Sequence, residues 1–195
     1  SSGSEALLAD GRLFIVMNDT LTAYAVSTGD PLWSVTLPDY LDLLAANAGY
    51  VVTRYSTYNP IAGAYEEYVT TFAAPTGDQT SSILFPEAVS NPNSTVLRDN
   101  ELFLATRVYS DTGRLDSIEA LNLNTGIRRT LLSYEDMNYA MISASDRLVI
   151  YRMNTFGGAS ALMLVGLDGT ILSEQDTVAA NLPASVESLA LSSAG

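Results

Sequence analysis

The sequence contains no cysteine and no histidine, and all nine of its basic residues are arginine. Without Cys there is no disulfide, no thiol nucleophile and no thiolate-held metal. Without His, the usual zinc and haem ligations and every Ser-His or Cys-His catalytic pair fall away as well. Positive charge is scarce in general: 22 Asp and Glu against nine Arg leave a net charge of −13 and a pI of about 4.1. That balance repels phosphate backbones and anionic lipid headgroups, and argues against nucleic-acid partners. Long apolar runs are also missing. None reaches the roughly 18 residues of a spanning helix, and the opening SSGSEALLAD has neither a basic region nor an apolar h-region, so no direct membrane insertion is expected.

What is present is a 195-residue chain that is 47% hydrophobic and 16% charged, apolar enough to fold and long enough to bury a core. Its richness in Ser, Thr, Asn and Tyr, with no Lys and an acidic pI, suits a bacterial or archaeal protein that works outside the cytoplasm, whether secreted, periplasmic or on the cell surface. Asn18-Asp19-Thr20 and Asn93-Ser94-Thr95 fit the glycosylation pattern, but such triplets arise often by chance in Asn- and Thr-rich loops, and they read as turns.

Short β-type runs dominate the chain. Residues 5–9, 12–17, 21–26 and 31–37 form a first set of four, separated by turn residues such as Asn18-Asp19 and Thr28-Gly29-Asp30. The turn before the last strand recurs as Ser27-Thr28-Gly29, Pro75-Thr76-Gly77, Asn124-Thr125-Gly126 and Leu167-Asp168-Gly169, with glycines 48, 49 and 43 residues apart. A second register mark runs alongside: EALLADGRLFIV, LDLLAANAGYVV, STVLRDNELFLA and NYAMISASDRLVIY. Four strands repeating about every 40–50 residues are the signature of propeller blades. The expectation is therefore an all-β fold, a β-propeller of four-stranded antiparallel blades. About four blades lie in this chain, near 5–37, 41–85, 94–133 and 138–176, all within a single domain over 1–195. Residues 187–192 read as the first strand of a further blade or as the strand that closes the ring, so the chain is either a four-blade ring or a piece of a larger propeller.

The best-formed copy, Ala23-Tyr-Ala-Val-Ser-Thr28-Gly29-Asp-Pro-Leu-Trp33, resembles the repeat of the pyrroloquinoline-quinone-like propeller superfamily, A-x-D-x-x-T-G-K-x-x-W. Ala23, Thr28, Gly29 and Trp33 match it, whereas Ala25 and Asp30 depart from it. In Ala120-Leu-Asn-Leu-Asn-Thr125-Gly126 the Ala, Thr and Gly remain and the Trp is replaced; the other two copies keep only the turn. The resemblance implies that Trp33 docks one blade against the next. Quinoprotein dehydrogenases of this superfamily need a quinone, a calcium loop, a catalytic Asp and often a disulfide. Here there is no Cys, and Asp111 and Asp116, the nearest approach to a calcium loop, read as a solvated hairpin. The chain is more similar to the non-enzymatic branch, the outer-membrane assembly lipoprotein propellers, which bind proteins. No catalytic residue, cofactor or metal is expected.

Candidate partner-binding residues come from the turns between second and third strands, which share one face of a propeller. The longest is 55–65, with Tyr55, Tyr58 and Tyr65 around Asn59-Pro60; Tyr109 and Phe156 sit in the corresponding turns of later units. Large rings with few rotatable bonds suit recognition surfaces, and they also suit strand ends in any β protein. Arg54, Arg107 and Arg152 fall near the ends of the second strands of units two, three and four. They form either a rim that grips an anionic group or, as the favoured reading, three separate ion pairs. Glu66 and Glu67 are adjacent, so they point to opposite faces of a strand and make no acid–base couple. The function expected is a non-catalytic binding scaffold for a protein or glycan partner. The alternative is a propeller enzyme or sensor domain acting on a sugar or small anion through carboxylates.

Overall fold

A computed structural model describes residues 5–37, 41–85, 87–89, 95–111, 113–144, 146–154 and 160–176. They form four antiparallel sheets, each with its strands side by side in chain order, arranged as a four-blade β-propeller. Blade 1 is β1 (Glu5–Ala9), β2 (Arg12–Met17), β3 (Thr20–Ala25) and β4 (Pro31–Thr36). Blade 2 is β5 (Leu41–Ala46), β6 (Tyr50–Asn59), β7 (Ala64–Ala73) and β8 (Gln79–Phe85). In blade 3, β9 (Ala88–Val89) and β10 (Thr95–Arg98) share one edge of β11 (Glu101–Ser110), followed by β12 (Gly113–Asn122) and β13 (Arg128–Glu135). Blade 4 is β14 (Met137–Ala144), β15 (Arg147–Asn154), β16 (Ala161–Gly166) and β17 (Ile171–Asp176). Residues 187–192 and Phe156 lie outside the described residues.

The turns explain why these segments become hairpins. Asn18 and Asp19 both have positive φ, 48° and 60°, the backbone of a two-residue turn whose twist matches that of the flanking strands. The turns from third to fourth strand repeat almost atom for atom in blades 1–3. Gly29, Gly77 and Gly126 each donate to a carbonyl four residues earlier, and Val26, Ala74 and Leu123 each donate to the turn between the blade's first two strands, at Gly11, Gly49 and Asn100. Those bonds fix which residues of different blades correspond. Blade 2 has a longer first turn, Asn47–Gly49, so Leu13 corresponds to Val51, whereas reading LDLLAANAGYVV residue for residue against EALLADGRLFIV sets Gly49 opposite Leu13.

Three apolar clusters hold the blades together. Phe14, Val16, Leu21 and Ala23 of blade 1 meet Leu43, Val51, Phe72 and Ala74 of blade 2. Val52, Val69 and Phe85 of blade 2 meet Leu102, Leu104 and Leu121 of blade 3. Phe103, Ile118 and Leu132 of blade 3 meet Met141, Leu148, Ile150 and Met163 of blade 4. Blades 2 and 3 are covered on both faces, so their middle strands carry continuous buried runs, Val51–Thr53 and Leu102–Thr106. In blade 1 the middle strands alternate: Phe14, Val16, Leu21 and Ala23 are buried while Leu13, Ile15, Thr22 and Tyr24 are not.

Trp33 seals the first interface. Its ring is tilted at 41° to Phe14 with centroids 5.9 Å apart, and its indole N–H donates to the Ala74 carbonyl at 3.0 Å. A Cβ at Gly77, whose φ is +77°, would lie 2.7 Å from the Trp33 ring, so only glycine both takes that turn and lets the ring approach.

Candidate functional site

Because successive strands alternate in direction, the turns β2–β3, β6–β7 and β11–β12 emerge on one face of the disc. Among the described turns, those of blades 2 and 3 reach further there than that of blade 1. Their middle strands are ten residues long against six in blade 1, an extension of about 13 Å at ~3.3 Å per residue.

The segment 55–65, expected as a loop, is mostly paired strand. Register partners run from Tyr50↔Ala73 to Asn59↔Ala64, leaving a four-residue turn over 60–63. The strand propensity of Tyr, Thr and Val lengthens the hairpin instead of loosening it. Its tip is locally self-sufficient: the Asn59 Oδ1 accepts from the backbone N–H groups of Ile61 and Ala62 at 2.9 and 3.1 Å, and Gly63, at φ +66°, donates to the Asn59 carbonyl at 2.8 Å.

The three tyrosines separate into two groups. Tyr58 and Tyr65 face each other across the strands, edge to face at 5.4 Å, and are 52% and 65% exposed beside Ile61, which is 97% exposed. Tyr55 instead stacks on Tyr68 at 5.1 Å and, half-buried, packs against the core between blades 1 and 2, away from the tip pair. Glu66 sits below the tip, accepting from Asn59 Nδ2 at 2.7 Å and from the Tyr68 hydroxyl at 2.8 Å. Those bonds, Asn59 first, hold its carboxyl below the usual glutamate range, and donation to Glu66 raises the Tyr68 phenol. In blade 3, Tyr109 is 68% exposed near the end of β11.

Arg54, Arg107 and Arg152 each have an ion-pair partner in their own blade, and Arg107 and Arg152 also reach a neighbouring one. Arg54 is paired with Asp42, its direct partner on β5. Arg152 donates to Glu174 at 2.8 Å and lies 4.3 Å over the Tyr134 ring. Arg107 donates to Asp116 at 2.7 Å and to Asn138 of blade 4 at 2.8 Å. Their like spacing in sequence leads to unlike partners, on the first, fourth and third strands of their blades.

Asp116, read from the sequence together with Asp111 as part of a solvated hairpin, is buried instead. Asp111 is exposed in the turn, but Asp116 is 1% exposed, on β12. Its carboxylate takes Arg107 at 2.7 Å, Arg114 at 2.6 Å and the Met137 N–H at 3.0 Å, and its carbonyl accepts from the Tyr139 hydroxyl at 3.2 Å. Burial, then the Asp116 charge, pushes the Tyr139 phenol up. The one available signal was Arg-Leu-Asp at 114–116: residues two apart share a strand face, so Arg114 and Asp116 had to be neighbours. This is an ion cluster that welds blade 3 to blade 4. Glu119 is used similarly, by Arg128 at 2.8 Å and Thr106 at 3.3 Å. Among the described residues no group of three or more Asp and Glu is placed to hold a metal ion.

No family profile and no curated protein sequence matches the chain. Solved structures do. BamB from Moraxella catarrhalis is similar at 14% identity and a TM-score of 0.44, over 88% of this chain and 60% of that one. The N-terminal domain of Nup159 has 7% identity and a TM-score of 0.44, over 86% and 50%. Synechocystis apocarotenoid oxygenase has 10% identity and a TM-score of 0.33, over 89% and 57%. This chain thus spans about 60% or less of the length of these three structures.

Proposed function

We propose that this propeller is a non-catalytic binding scaffold that works outside the cytoplasm, and that it recognises a protein through the tip of the β6–β7 hairpin. The observation that carries this reading is the pair Tyr58 and Tyr65, exposed beside Ile61 at the end of a ten-residue ladder whose base is buried between blades. Apolar rings held by a stiff support lose little entropy on binding, which is what makes tyrosine effective at interfaces. Tyr109, at the end of the neighbouring long hairpin, adds a second contact on the same face. Phe156 belongs to the same candidate set and lies outside the described residues. Arg54, Arg107 and Arg152, drawn into ion pairs, are not part of the contact surface in this reading. The acidic surface favours a partner with a neutral or basic face. The extracytoplasmic setting rests on composition.

The register supplies the test. Thr57 and Glu66 are direct partners, so Tyr58–Tyr65 can be replaced by Asn-Gly joining them, a two-residue turn that retains Tyr55 and Tyr68. The trimmed protein should keep its melting temperature within about 3 °C, the effect of ~1 kcal/mol at this size. It should no longer retain the cell-envelope protein that the natural chain captures. Capture of the same protein at the same affinity would remove the hairpin from the interface. A glycan array bound equally by both proteins would move recognition to another partner class.

A further inference from the structure

We infer that the outward face of blade 1 is an inter-blade docking surface, and that its occupant is a further four-stranded blade of the same repeat, seated in the natural protein as blade 1 is seated on blade 2. The inference does not depend on the recognition hairpin, which lies at the rim of other blades.

The correspondence fixed by the repeated turn bonds carries the argument. Leu13 corresponds to Val51 and Leu102, Tyr24 to Phe72 and Leu121, and Val26 to Ala74 and Leu123. In blades 2 and 3 all six of these counterparts are buried, at 0–4% exposure, and face the preceding blade. In blade 1 the same positions carry side chains of the same apolar kind, yet Leu13 and Tyr24 are only half-buried and Val26 is 54% exposed, next to Leu8 at 69%. No residue of blade 4 joins an apolar cluster with blade 1 among the described residues.

The turn glycines make the same point independently. A Cβ on Gly77, Gly126 or Gly169 would meet an outer-strand side chain or backbone of the blade before it: Trp33 at 2.7 Å, Ile83 at 3.8 Å and Leu131 at 3.1 Å. Gly29 has the same backbone, φ +78°, and nothing within 4 Å. Each described blade after the first thus has an apolar outer-strand residue of its neighbour lying against its turn glycine; Gly29 offers the matching seat. The occupant should therefore carry a Trp, Leu or Ile at that place on its fourth strand.

Area decides between a linked blade and a free partner. Six residues at about 3.3 Å by four strands at about 4.8 Å give roughly 400 Å² of sheet per side. That is about 800 Å² in all, short of the roughly 1,200–2,000 Å² by which separate proteins hold one another. A blade tethered in the same polypeptide needs no such area, because its docking is intramolecular.

The lack of Cys in these 195 residues makes each added thiol easy to follow. Val26→Cys and Ala74→Cys place thiols at corresponding positions, for alkylation in the 195-residue chain and in the full natural gene product, with labelling read by mass spectrometry on the peptide that carries residue 26 or 74. We expect Ala74→Cys to be protected in both. We expect Val26→Cys to react freely in the 195-residue chain and to be slowed at least about tenfold in the full gene product. Equal rapid labelling of Val26→Cys in both would overturn the inference. So would protection already present in the 195-residue chain, since its own blades, if protection is independent of concentration, or a second copy, if it is not, would then be the cover.

Discussion

Trp33 and Gly77 act as one unit across the first blade interface. The indole is held by the Ala74 carbonyl, and the left-handed glycine leaves the space that the ring fills. Trp33→Ala removes apolar contact and strands that carbonyl, and should cost about 3 kcal/mol, or roughly 6–12 °C in melting temperature. Gly77→Ala carries two penalties, backbone strain of about 1 kcal/mol and a clash with the ring. Only the clash disappears when Trp33 is already Ala. Denaturant melts of the two single variants and the double should therefore show a coupling of about 1 kcal/mol or more, with Gly77→Ala milder in the Trp33→Ala background. Gly29→Ala in the 195-residue chain is the control for strain alone, since nothing lies near its Cβ direction. Strict additivity would mean that the ring does not rest on the glycine.

At the scale of elements, the tightest polar junction is the Asp116 cluster, where one carboxylate on β12 joins β11 of its own blade to the start of β14 in the next. Two guanidiniums and a backbone N–H share it, so losing the carboxylate leaves two half-buried cations facing each other. Asp116→Ala should cost about 3 kcal/mol or more, as expected when one member of a buried ion pair is removed. Arg107→Ala leaves Arg114 in place and should cost less than half as much. Equilibrium unfolding in urea gives both values, and a loss from Arg107→Ala equal to that from Asp116→Ala would show that Arg114 does not share the carboxylate. The long hairpins of blades 2 and 3 follow another logic: ten-residue strands extend past the core because cross-strand pairs such as Tyr55–Tyr68 and Tyr58–Tyr65 stabilise each added rung.

On the scale of the whole molecule, the net charge of −13 opposes association of copies through the apolar positions that blade 1 turns to solvent. Acidification removes that repulsion: as pH falls from 7 toward the pI of about 4.1, the carboxylates neutralise and the net charge approaches zero. Light scattering of the 195-residue chain should therefore rise as pH nears 4 and reverse on return to neutral pH. Leu8→Arg together with Val26→Arg, which breaks the apolar face, should suppress the rise. If that variant scatters as strongly as the natural chain, charge neutralisation alone, without this face, drives the association.

Period and turn chemistry were readable along the chain because they are local. The Thr-Gly turns mark where the backbone goes left-handed before each fourth strand, and short apolar runs recur with them every 40–50 residues, so the four-stranded blades were legible along the chain. Trp33 could be given its docking place by resemblance to a repeat whose Trp does the same. The hairpin at 55–65 was legible as long and tyrosine-rich but not as paired, since whether ten residues extend a ladder or loop free of it depends on the partner strand that arrives opposite. Tyr55 and Tyr58 look alike in sequence, yet one meets the neighbouring blade and the other meets solvent. Asp111 and Asp116 likewise stand five residues apart, one in water and the other shut between two blades. Burial of that kind is a property of non-local contacts: the strand pattern sets which face a side chain takes, and only the blade packed against that face decides whether it becomes core, ion pair or binding surface.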